Sequence, residues 1–485
     1  MNRDPRDARI GRIPVSPLHA GPGFKSGSTD LAPFASPDAF DPVLRDFLHQ
    51  SSELLCRWLG SSDQRTPLPT IRPAPEVNPA SHGVSMPQLL DDLQIVMDGA
   101  YQPSHPGALA HLDPPPLTAS IAADLICAGL NNNLLAEELS PGLSALELEL
   151  CRWFAQRLGF PDGTTGVLAS GGTLSNLMAL VAARERVKPE HRQRGVVLCS
   201  RDAHVSLLKA VRVMGLHDDA LQQLSVDPEG RLCLDALEER LAALHHQGRP
   251  CLAVVATAGT TVRGAVDSMD HIAGLCQRYG IWLHVDGAIG AVFGLAPSTA
   301  ELVRGLSSAD SLTVNPQKLL GITKASSLLL MRDPTQLRLA FSTGLPYMEA
   351  PLGEHHGGEV GLQGTRPAEV LKLWLGLRQL GENGIETVLR SALDRCRQFT
   401  QRLDPHQFTL HNGSLHLLAF RPSGHSDQQS DRWSETTRRI LIQHRFMLSR
   451  PLYGSSHCLK AVLGNPHTTS EHLDQLASLI NQSVI

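Results

Sequence analysis

The sequence contains few aromatic side chains and no long apolar run. Phe, Trp and Tyr make up 4% of its 485 residues, and no uninterrupted stretch approaches the roughly 20 apolar residues that a membrane-spanning helix needs. Arg3, Asp4 and Arg6 occur near the start with no apolar segment after them, so we expect no secretory signal. The sequence therefore predicts a cytoplasmic protein that does not associate with a membrane.

Neither sign of charge is in large excess, and the cysteines are not paired in motifs. The chain has 43 Lys and Arg residues against 48 Asp and Glu residues, a formal net charge of −5, so nothing favours a nucleic-acid partner. The nine cysteines are scattered without a Cys-x-x-Cys pair. We therefore expect neither a disulfide framework nor a metal site.

Short β-prone runs alternate with helical segments through the middle of the chain. The runs span Gly166–Ala169, Val196–Cys199, Leu252–Ala256, Ile281–Val285, Leu312–Val314 and Ser327–Met331. They are almost wholly apolar, which is typical of parallel strands buried on both faces. The pattern predicts an α/β fold with a mostly parallel central sheet and helices on both faces, in which a ligand lies at the carboxyl ends of the strands.

The flanking sequence predicts three parts. Residues 1–100 combine a Gly- and Pro-rich leader, an amphipathic helix and a proline-punctuated linker, which indicates an N-terminal arm with a helical segment. Residues 101–380 contain the alternating pattern and should form the large domain. Beyond residue 380 the pattern changes to helices around two β-prone segments, so residues 381–485 are expected to form a small α+β domain.

Residues that could hold a coenzyme follow four of the predicted strands. Gly172 and Thr173 open a helix, whose first backbone amides suit a phosphate group. His204 lies just past the second strand, where an imidazole could stack on a flat ring. Thr257 belongs to a run of small hydroxylic residues suited to a tight pocket. Asp286 ends a buried strand, where a carboxylate is costly unless it meets a cation such as a protonated pyridine nitrogen.

Lys318 lies in a turn between the last two predicted strands. A loop lysine on its own is usually a surface charge. A phosphate cradle, a stacking imidazole, a carboxylate for a ring nitrogen and a lysine are together what pyridoxal 5′-phosphate (PLP) requires. The ordered set therefore predicts a PLP site in which Lys318 is the attachment residue.

These motifs resemble those of the fold-type I PLP enzymes and, more narrowly, the group II amino-acid decarboxylases. That group includes glutamate, aromatic amino-acid, cysteine-sulfinate and 2,4-diaminobutyrate decarboxylases, and the resemblance runs from about residue 101 to the C-terminus. It implies that His204 stacks on the coenzyme ring, and that Asp286 and Ala288 are the ring-nitrogen partner and its packing neighbour. The phrase Asn315 to Lys318 matches the family's Asn-Pro-His-Lys.

The resemblance includes one departure and three further expectations. Gln317 stands where most members have a phosphate-binding His, and an amide can donate a hydrogen bond but cannot become a cation. Tyr347 matches a loop tyrosine that reaches the neighbouring subunit's site and protonates the substrate carbon after carbon dioxide leaves. Arg366 matches an arginine that engages a substrate carboxylate, and His105 belongs to an early loop that lines the substrate pocket. The Tyr347 match implies a homodimer with active sites at the subunit interface.

The activity that the resemblance implies is decarboxylation of a small amino acid to an amine and carbon dioxide. Lys318, Asp286, His204 and Tyr347 would be its catalytic residues. A decarboxylation-dependent aldehyde synthase, an aminotransferase or other PLP lyase, and a catalytically silent scaffold protein remain as alternatives, although loss of Lys318 or Asp286 would mark a silent chain and both are present. Diaminobutyrate and acidic amino acids rank ahead of aromatic ones as substrates, because the sequence offers no obvious aromatic cage.

Overall fold

A computed structural model describes residues 31–70, 74–79, 81–349 and 356–484 of the chain. The chain divides into two compact units, one comprising Met1–Ser61 with Pro69–Ala100 and the other Ser62–Leu68 with Tyr101–Ile485. The leader that the sequence predicts before residue 31 lies outside the described residues.

The smaller unit contains two helices, α1 (Pro42–Gly60) and α2 (Met86–Asp98). The Asp41 side chain accepts hydrogen bonds from two backbone amides of the first turn of α1, which otherwise lack partners within the helix. The indole nitrogen of Trp58 donates to the carbonyl of Met97 at 2.7 Å. This bond joins the C-terminal ends of the two helices.

The larger unit has eleven α-helices among the described residues. They are α3 (Thr118–Leu130), α4 (Pro141–Arg157), α5 (Gly172–Glu185), α6 (Pro189–Arg192), α7 (Ser206–Val213), α8 (Leu234–His246), α9 (Met269–Tyr279), α10 (Thr335–Phe341), α11 (Val370–Arg402), α12 (Asp427–Gln443) and α13 (Ser470–Asn481). Helix α11 is interrupted at Gly381, whose φ of 60° lies in the left-handed region that glycine tolerates. Within the described ranges, no helix is both long and apolar enough to cross a bilayer.

Seven strands form the central sheet of the larger unit. They are β1 (Thr165–Ala169), β2 (Val196–Ser200), β3 (Leu221–Leu224), β4 (Cys251–Thr257), β5 (Trp282–Gly287), β6 (Ser311–Val314) and β7 (Ser327–Met331). Their order is β1-β7-β6-β5-β4-β2-β3. Strands β3, β2, β4, β5 and β6 run parallel, whereas β7 is antiparallel to both β6 and β1. The predicted α/β fold with a mostly parallel sheet is confirmed.

The register of the sheet brings the predicted site residues to one edge. Asp286 at the end of β5 pairs with Thr257 of β4 and with Thr313 of β6. Strand β1 points in the same direction as these strands, since it is antiparallel to β7, which is antiparallel to β6. The segments that follow β1, β2, β4, β5 and β6 therefore all emerge at the same edge.

A small antiparallel sheet follows in the chain. Strands β8 (Phe408–Asn412), β9 (Leu417–Pro422) and β12 (Leu459–Val462) lie in the order β12-β9-β8, and β10 (Leu452–Tyr453) pairs with β11 (Ser456–His457). A separate apolar cluster forms the core around this sheet. Residues 101–380 and 381–485 lie in one compact unit, so a domain boundary at residue 380 stays a prediction.

Candidate active site

A cavity of about 490 Å³ lies at the edge of the central sheet where the parallel strands end. All nine residues that the sequence assigns to the coenzyme line it: Gly172, Thr173, His204, Thr257, Asp286, Ala288, Asn315, Gln317 and Lys318. They come from five segments of the chain, each just past or at the end of a strand. The fold thus gathers the predicted set into one place.

The turn from β1 into α5 forms one wall of the cavity. The Asn315 side-chain nitrogen donates to Ser327 Oγ at 2.6 Å. Its side-chain oxygen accepts a hydrogen bond from the Gly172 backbone nitrogen at 3.2 Å. A Cβ atom at Gly172 would lie 3.1 Å from the Asn315 amide and 3.4 Å from Ala288 Cβ, so glycine keeps this wall open. The start of a helix of this length, with unpaired amides and a positive dipole end, suits a phosphate group.

The Asp286 carboxylate is buried at the cavity wall and is held from behind by Asn176. The Asn176 Nδ2 donates to Asp286 Oδ2 at 2.8 Å and to Ser206 Oγ at 2.9 Å, while the Ala288 backbone nitrogen donates to Asp286 Oδ1 at 3.2 Å. These neutral N–H groups orient the carboxylate without cancelling its charge. A protonated ring nitrogen in the cavity would supply the missing positive charge.

Asn176 is in turn fixed by a buried network beneath the sheet edge. Its Oδ1 accepts from Thr313 Oγ1 at 2.7 Å and lies 3.0 Å from His284 Nε2, and His284 Nδ1 lies 2.9 Å from Ser311 Oγ. Burial lowers the pKa of His284, so the ring is neutral at physiological pH. Nε2 then donates to Asn176, and Nδ1 accepts from the Ser311 hydroxyl.

Burial lowers the pKa of both Lys318 and His204, which face the cavity. Burial lowers the pKa of Lys318, although the negative charges of Asp286 and Asp113 oppose this. Burial also lowers the pKa of His204, whose Nδ1 accepts from the Ser206 backbone nitrogen at 3.2 Å. The lysine is therefore more nucleophilic than a surface lysine, and the neutral imidazole is free to stack on an aromatic ring.

Two further polar groups are available to a ligand. The Gln317 Oε1 accepts from the Ser326 backbone nitrogen, so its amide nitrogen is the atom left to donate into the cavity. The Thr257 hydroxyl is buried and finds no partner within the part of the chain that the structure describes, and such a group is costly unless a ligand or water satisfies it. Together with the helix start, the carboxylate and the lysine, these groups fit PLP.

Arg366, predicted to bind substrate, lies outside this cavity. Its Nη1 donates to the two carboxylate oxygens of Glu147 at 2.9 and 3.0 Å and to the Leu168 carbonyl at 3.3 Å. Arg366 and Glu147 are 6% and 7% exposed, and separating a buried ion pair would leave an uncompensated charge. In the described chain the arginine has an internal carboxylate as its partner instead of a substrate.

His105 and Tyr347 also lie outside the cavity lining. His105 is buried, its Nδ1 accepts from the Gly107 backbone nitrogen at 2.8 Å, and its carbonyl accepts from Asn465 Nδ2 at 2.8 Å. It therefore holds its own loop together. Tyr347 is 70% exposed, and its role in a neighbouring subunit stays a prediction.

A second lysine, which no sequence motif singles out, lies beside the cavity. Lys460 on β12 is 6% exposed, and its Nζ donates to the carbonyl of the cavity-lining Thr261 at 3.3 Å. Burial, with a further contribution from the positive charge of Lys318, lowers the pKa of Lys460 to about 8. No carboxylate of the described residues forms a salt bridge with it. In the sequence, the position of Lys460 between apolar residues of a β-prone run indicates that this cation is buried.

A comparison with known families decides which of the implied chemistries applies. Residues 71–421 match the model of the pyridoxal-dependent decarboxylase conserved domain. The chain belongs to the pyridoxal-dependent decarboxylase family. It is a PLP-dependent amino-acid decarboxylase, and the predicted coenzyme is confirmed.

Curated relatives of this decarboxylase have different substrates in their names. L-2,4-diaminobutyrate decarboxylase from Acinetobacter baumannii is 30% identical over 352 residues, which are 67% of this chain and 69% of that protein. The enzyme of the same name from Rhizobium meliloti is 29% identical over 391 residues, 78% of each chain. Cysteine sulfinic acid decarboxylase from Mus musculus is 29% identical over 372 residues, 73% of this chain and 72% of that protein. The family therefore leaves the substrate open.

Solved structures share the fold of the decarboxylase. The crystal structure of Oryza sativa TDC with PLP and tryptamine aligns with a TM-score of 0.86 at 21% identity, covering 92% of this chain and 99% of that one. Mouse CSAD in apo form aligns with a TM-score of 0.84 at 24% identity and the same coverage. The predicted fold-type I architecture is confirmed.

Replacing Asn176 with Ala should weaken PLP binding about tenfold, since losing one hydrogen bond to a buried charge costs about 1.4 kcal/mol or more. The Asp286 carboxylate would lose its oriented donor. Titration of the apoenzyme with PLP, followed by absorbance, measures the change. Asn412→Ala removes an exposed asparagine and should bind as the unmodified enzyme does. Equal affinities for the two variants would show that the network does not position Asp286.

Proposed function

We propose that Lys318 is the residue that attaches PLP in this decarboxylase and that the nine lining residues form the coenzyme site. The observation that supports this most directly is the shared cavity, in which the Lys318 amine and the Asp286 carboxylate face the same space beside a helix start. A scaffold protein would have no need to keep this combination of buried charge and open volume.

The residues of the cavity divide the work of the reaction between them. PLP, when bound, supplies a conjugated ring that accepts the electron pair left on the substrate's Cα as carbon dioxide departs. Asp286, held by Asn176 and Ala288, is placed to keep a proton on a ring nitrogen. His204 lines the cavity, where its imidazole can stack on the coenzyme ring, and Lys318 presents an amine of lowered pKa that can exchange with the substrate amine.

Lys460 is the group that we propose binds the substrate's α-carboxylate. With its pKa lowered to about 8, it is mostly protonated at neutral pH. Its protein partner is the Thr261 carbonyl, at 3.3 Å, so an incoming carboxylate would relieve the cost of burying the ammonium. This cation replaces Arg366 in the role that the resemblance implies. Because every amino acid carries an α-carboxylate, Lys460 orients the substrate without selecting its side chain.

The lining of the cavity favours a polar substrate over an aromatic one. Apart from the imidazole of His204, the described lining contains no aromatic side chain, and it includes the hydroxyl and amide groups of Thr257, Thr261 and Gln317. We therefore propose diaminobutyrate or an acidic amino acid as the substrate, ahead of tyrosine or tryptophan.

A cytoplasmic homodimer is the assembly that we propose. Helix α3 has apolar residues on its surface, with Leu125, Ile126 and Leu130 exposed by 48%, 53% and 49%. Exposed apolar groups of this kind mark interaction surfaces. The exposure of Tyr347 is compatible with a side chain that serves the cavity of a second copy.

The purified enzyme with PLP should release carbon dioxide and the matching amine from diaminobutyrate, glutamate, aspartate or cysteine sulfinate faster than from aromatic amino acids. Lys318→Ala should abolish amine formation, because the described lining of the cavity contains no second lysine that could exchange with the substrate amine. The exposed Lys188 gives the matched control, and Lys188→Ala should retain full activity. Keto acid or aldehyde as the main product, or undiminished activity of Lys318→Ala, would contradict the proposal.

Lys460→Met should raise KM at least tenfold and lower kcat less, because a contact to the departing carboxylate is made mainly in the ground state. Lys460→Arg keeps the cation and should recover most of the affinity. In the unmodified enzyme KM should rise as the pH passes about 8, where Lys460 loses its proton, and Lys460→Arg should move that rise to higher pH. An unchanged KM for Lys460→Met would exclude the assignment.

Mixed dimers test whether Tyr347 acts across subunits. Lys318→Ala and Tyr347→Phe should each fail to produce amine alone. Co-expressed in equal amounts, they should restore about one quarter of the unmodified activity, since half of the dimers are hybrids with one intact site each. Absence of any restoration would show that Tyr347 does not act in the partner's cavity.

A further inference from the structure

The Glu359 carboxylate collects hydrogen bonds from three consecutive residues that lead from α10 toward Tyr347. The backbone nitrogens of Thr343 and Gly344 donate to its Oε2 at 3.0 and 2.8 Å, and the Thr343 hydroxyl donates to its Oε1 at 3.0 Å. The Ser342 hydroxyl donates to Oε2 as well. Glu359 is 7% exposed, so one buried acceptor fixes the whole start of this segment.

His356 fastens the same segment further along. Its Nδ1 accepts from the Glu137 backbone nitrogen at 3.3 Å, which leaves Nε2 as the donor to the Glu349 carbonyl at 2.8 Å. His356 is 7% exposed. Tyr347 therefore lies between two attachment points. It is three residues after Gly344, which is bound by Glu359, and two before Glu349, which is bound by His356.

The short stretch between these points is packed on one side and open on the other. Leu345 is 5% exposed, and its carbonyl accepts from the Met348 backbone nitrogen at 2.9 Å. Tyr347, two residues after this buried leucine, is 70% exposed. The segment thus holds its apolar side chain against the protein body and presents the tyrosine outward.

The charge of Glu359 strengthens the attachment. Burial alone would raise the pKa of Glu359, but the hydrogen bonds from Ser342, Thr343 and Gly344 outweigh it and lower that pKa to about 2. The group is therefore ionised at every pH at which an enzyme is assayed, and hydrogen bonds to an ionised acceptor are roughly twice as strong as neutral ones. The stabilisation that the ionised Glu359 gives to the folded protein is complete above the ordinary pKa of a glutamate. It is lost only as the pH falls toward 2.

We propose that Glu359 is a positioning residue for Tyr347, which fixes the point where the segment leaves α10 so that the tyrosine hydroxyl is delivered to the cavity of a partner copy. The inference rests on the proposed role of Tyr347, whose hydroxyl proton passes to the Cα that keeps the electron pair of the broken bond, with solvent reprotonating the phenolate. Without the attachment, the hydroxyl reaches its target less often, whereas the coenzyme and substrate sites are unchanged.

The test compares Glu359→Ala with Asp333→Asn in the PLP-loaded enzyme. Asp333 is a matched control because it accepts from the Thr335 backbone nitrogen and hydroxyl at 3.1 and 2.6 Å at the other end of α10. Glu359→Ala should lower kcat about tenfold, leave KM and the PLP affinity within about twofold, and speed limited proteolysis between residues 342 and 349. Glu359→Gln keeps an acceptor oxygen, so its kcat should lie between those of Glu359→Ala and the unmodified enzyme. Asp333→Asn should match the unmodified enzyme in all of these.

The Tyr347→Phe variant separates failure of this inference from failure of the Tyr347 role. An impaired Tyr347→Phe beside a fully active Glu359→Ala would overturn the inference alone. A fully active Tyr347→Phe would overturn the role of the tyrosine and the inference with it. Parallel losses of kcat, substrate affinity and PLP affinity in Glu359→Ala would show that the glutamate stabilises the fold in general and does not position Tyr347.

Discussion

A carboxylate buried at the end of a parallel strand is the constraint around which the cavity is built. His284 and Asp286 are two residues apart on β5 and so point to the same face of the sheet. Both meet Asn176, one through its Oδ1 and the other through its Nδ2. Asn176 lies one turn into α5, the helix whose first residues form the phosphate-facing wall. A single helix therefore sets the distance between the two ends of the coenzyme site.

Much of this arrangement could be predicted from the sequence, because the direction of the strands decides where the residues that follow them lie. Once the apolar runs are taken as parallel strands, the residues just past each run must share an edge, and this brought His204, Asp286 and Lys318 together without knowledge of any contact. Strand β3 was missed, since Leu221–Leu224 contains two glutamines and lacks the apolar character of a buried strand.

The sequence does not reveal interactions between residues that lie far apart in the chain, or roles that depend on burial. Arg366 looks free until Glu147, 219 residues earlier, is placed against it. Lys460 is one of seven lysines in the sequence, and only the small sheet buries it beside Thr261. Glu359 is an ordinary acidic residue in the sequence, and only the turn after α10 makes it an acceptor for three neighbours. Such roles follow from tertiary contacts and carry no local pattern.

Attachment of the coenzyme to Lys318, with Lys460 as a neighbouring cation that does not hold it, is central to the proposed chemistry. Borohydride reduction of the PLP-loaded enzyme fixes the coenzyme to whichever lysine holds it, and peptide mass mapping then locates it. The structure predicts a pyridoxyl group on the peptide that contains Lys318 and none on the peptide that contains Lys460. A label on Lys460, or no label on either peptide, would contradict the account.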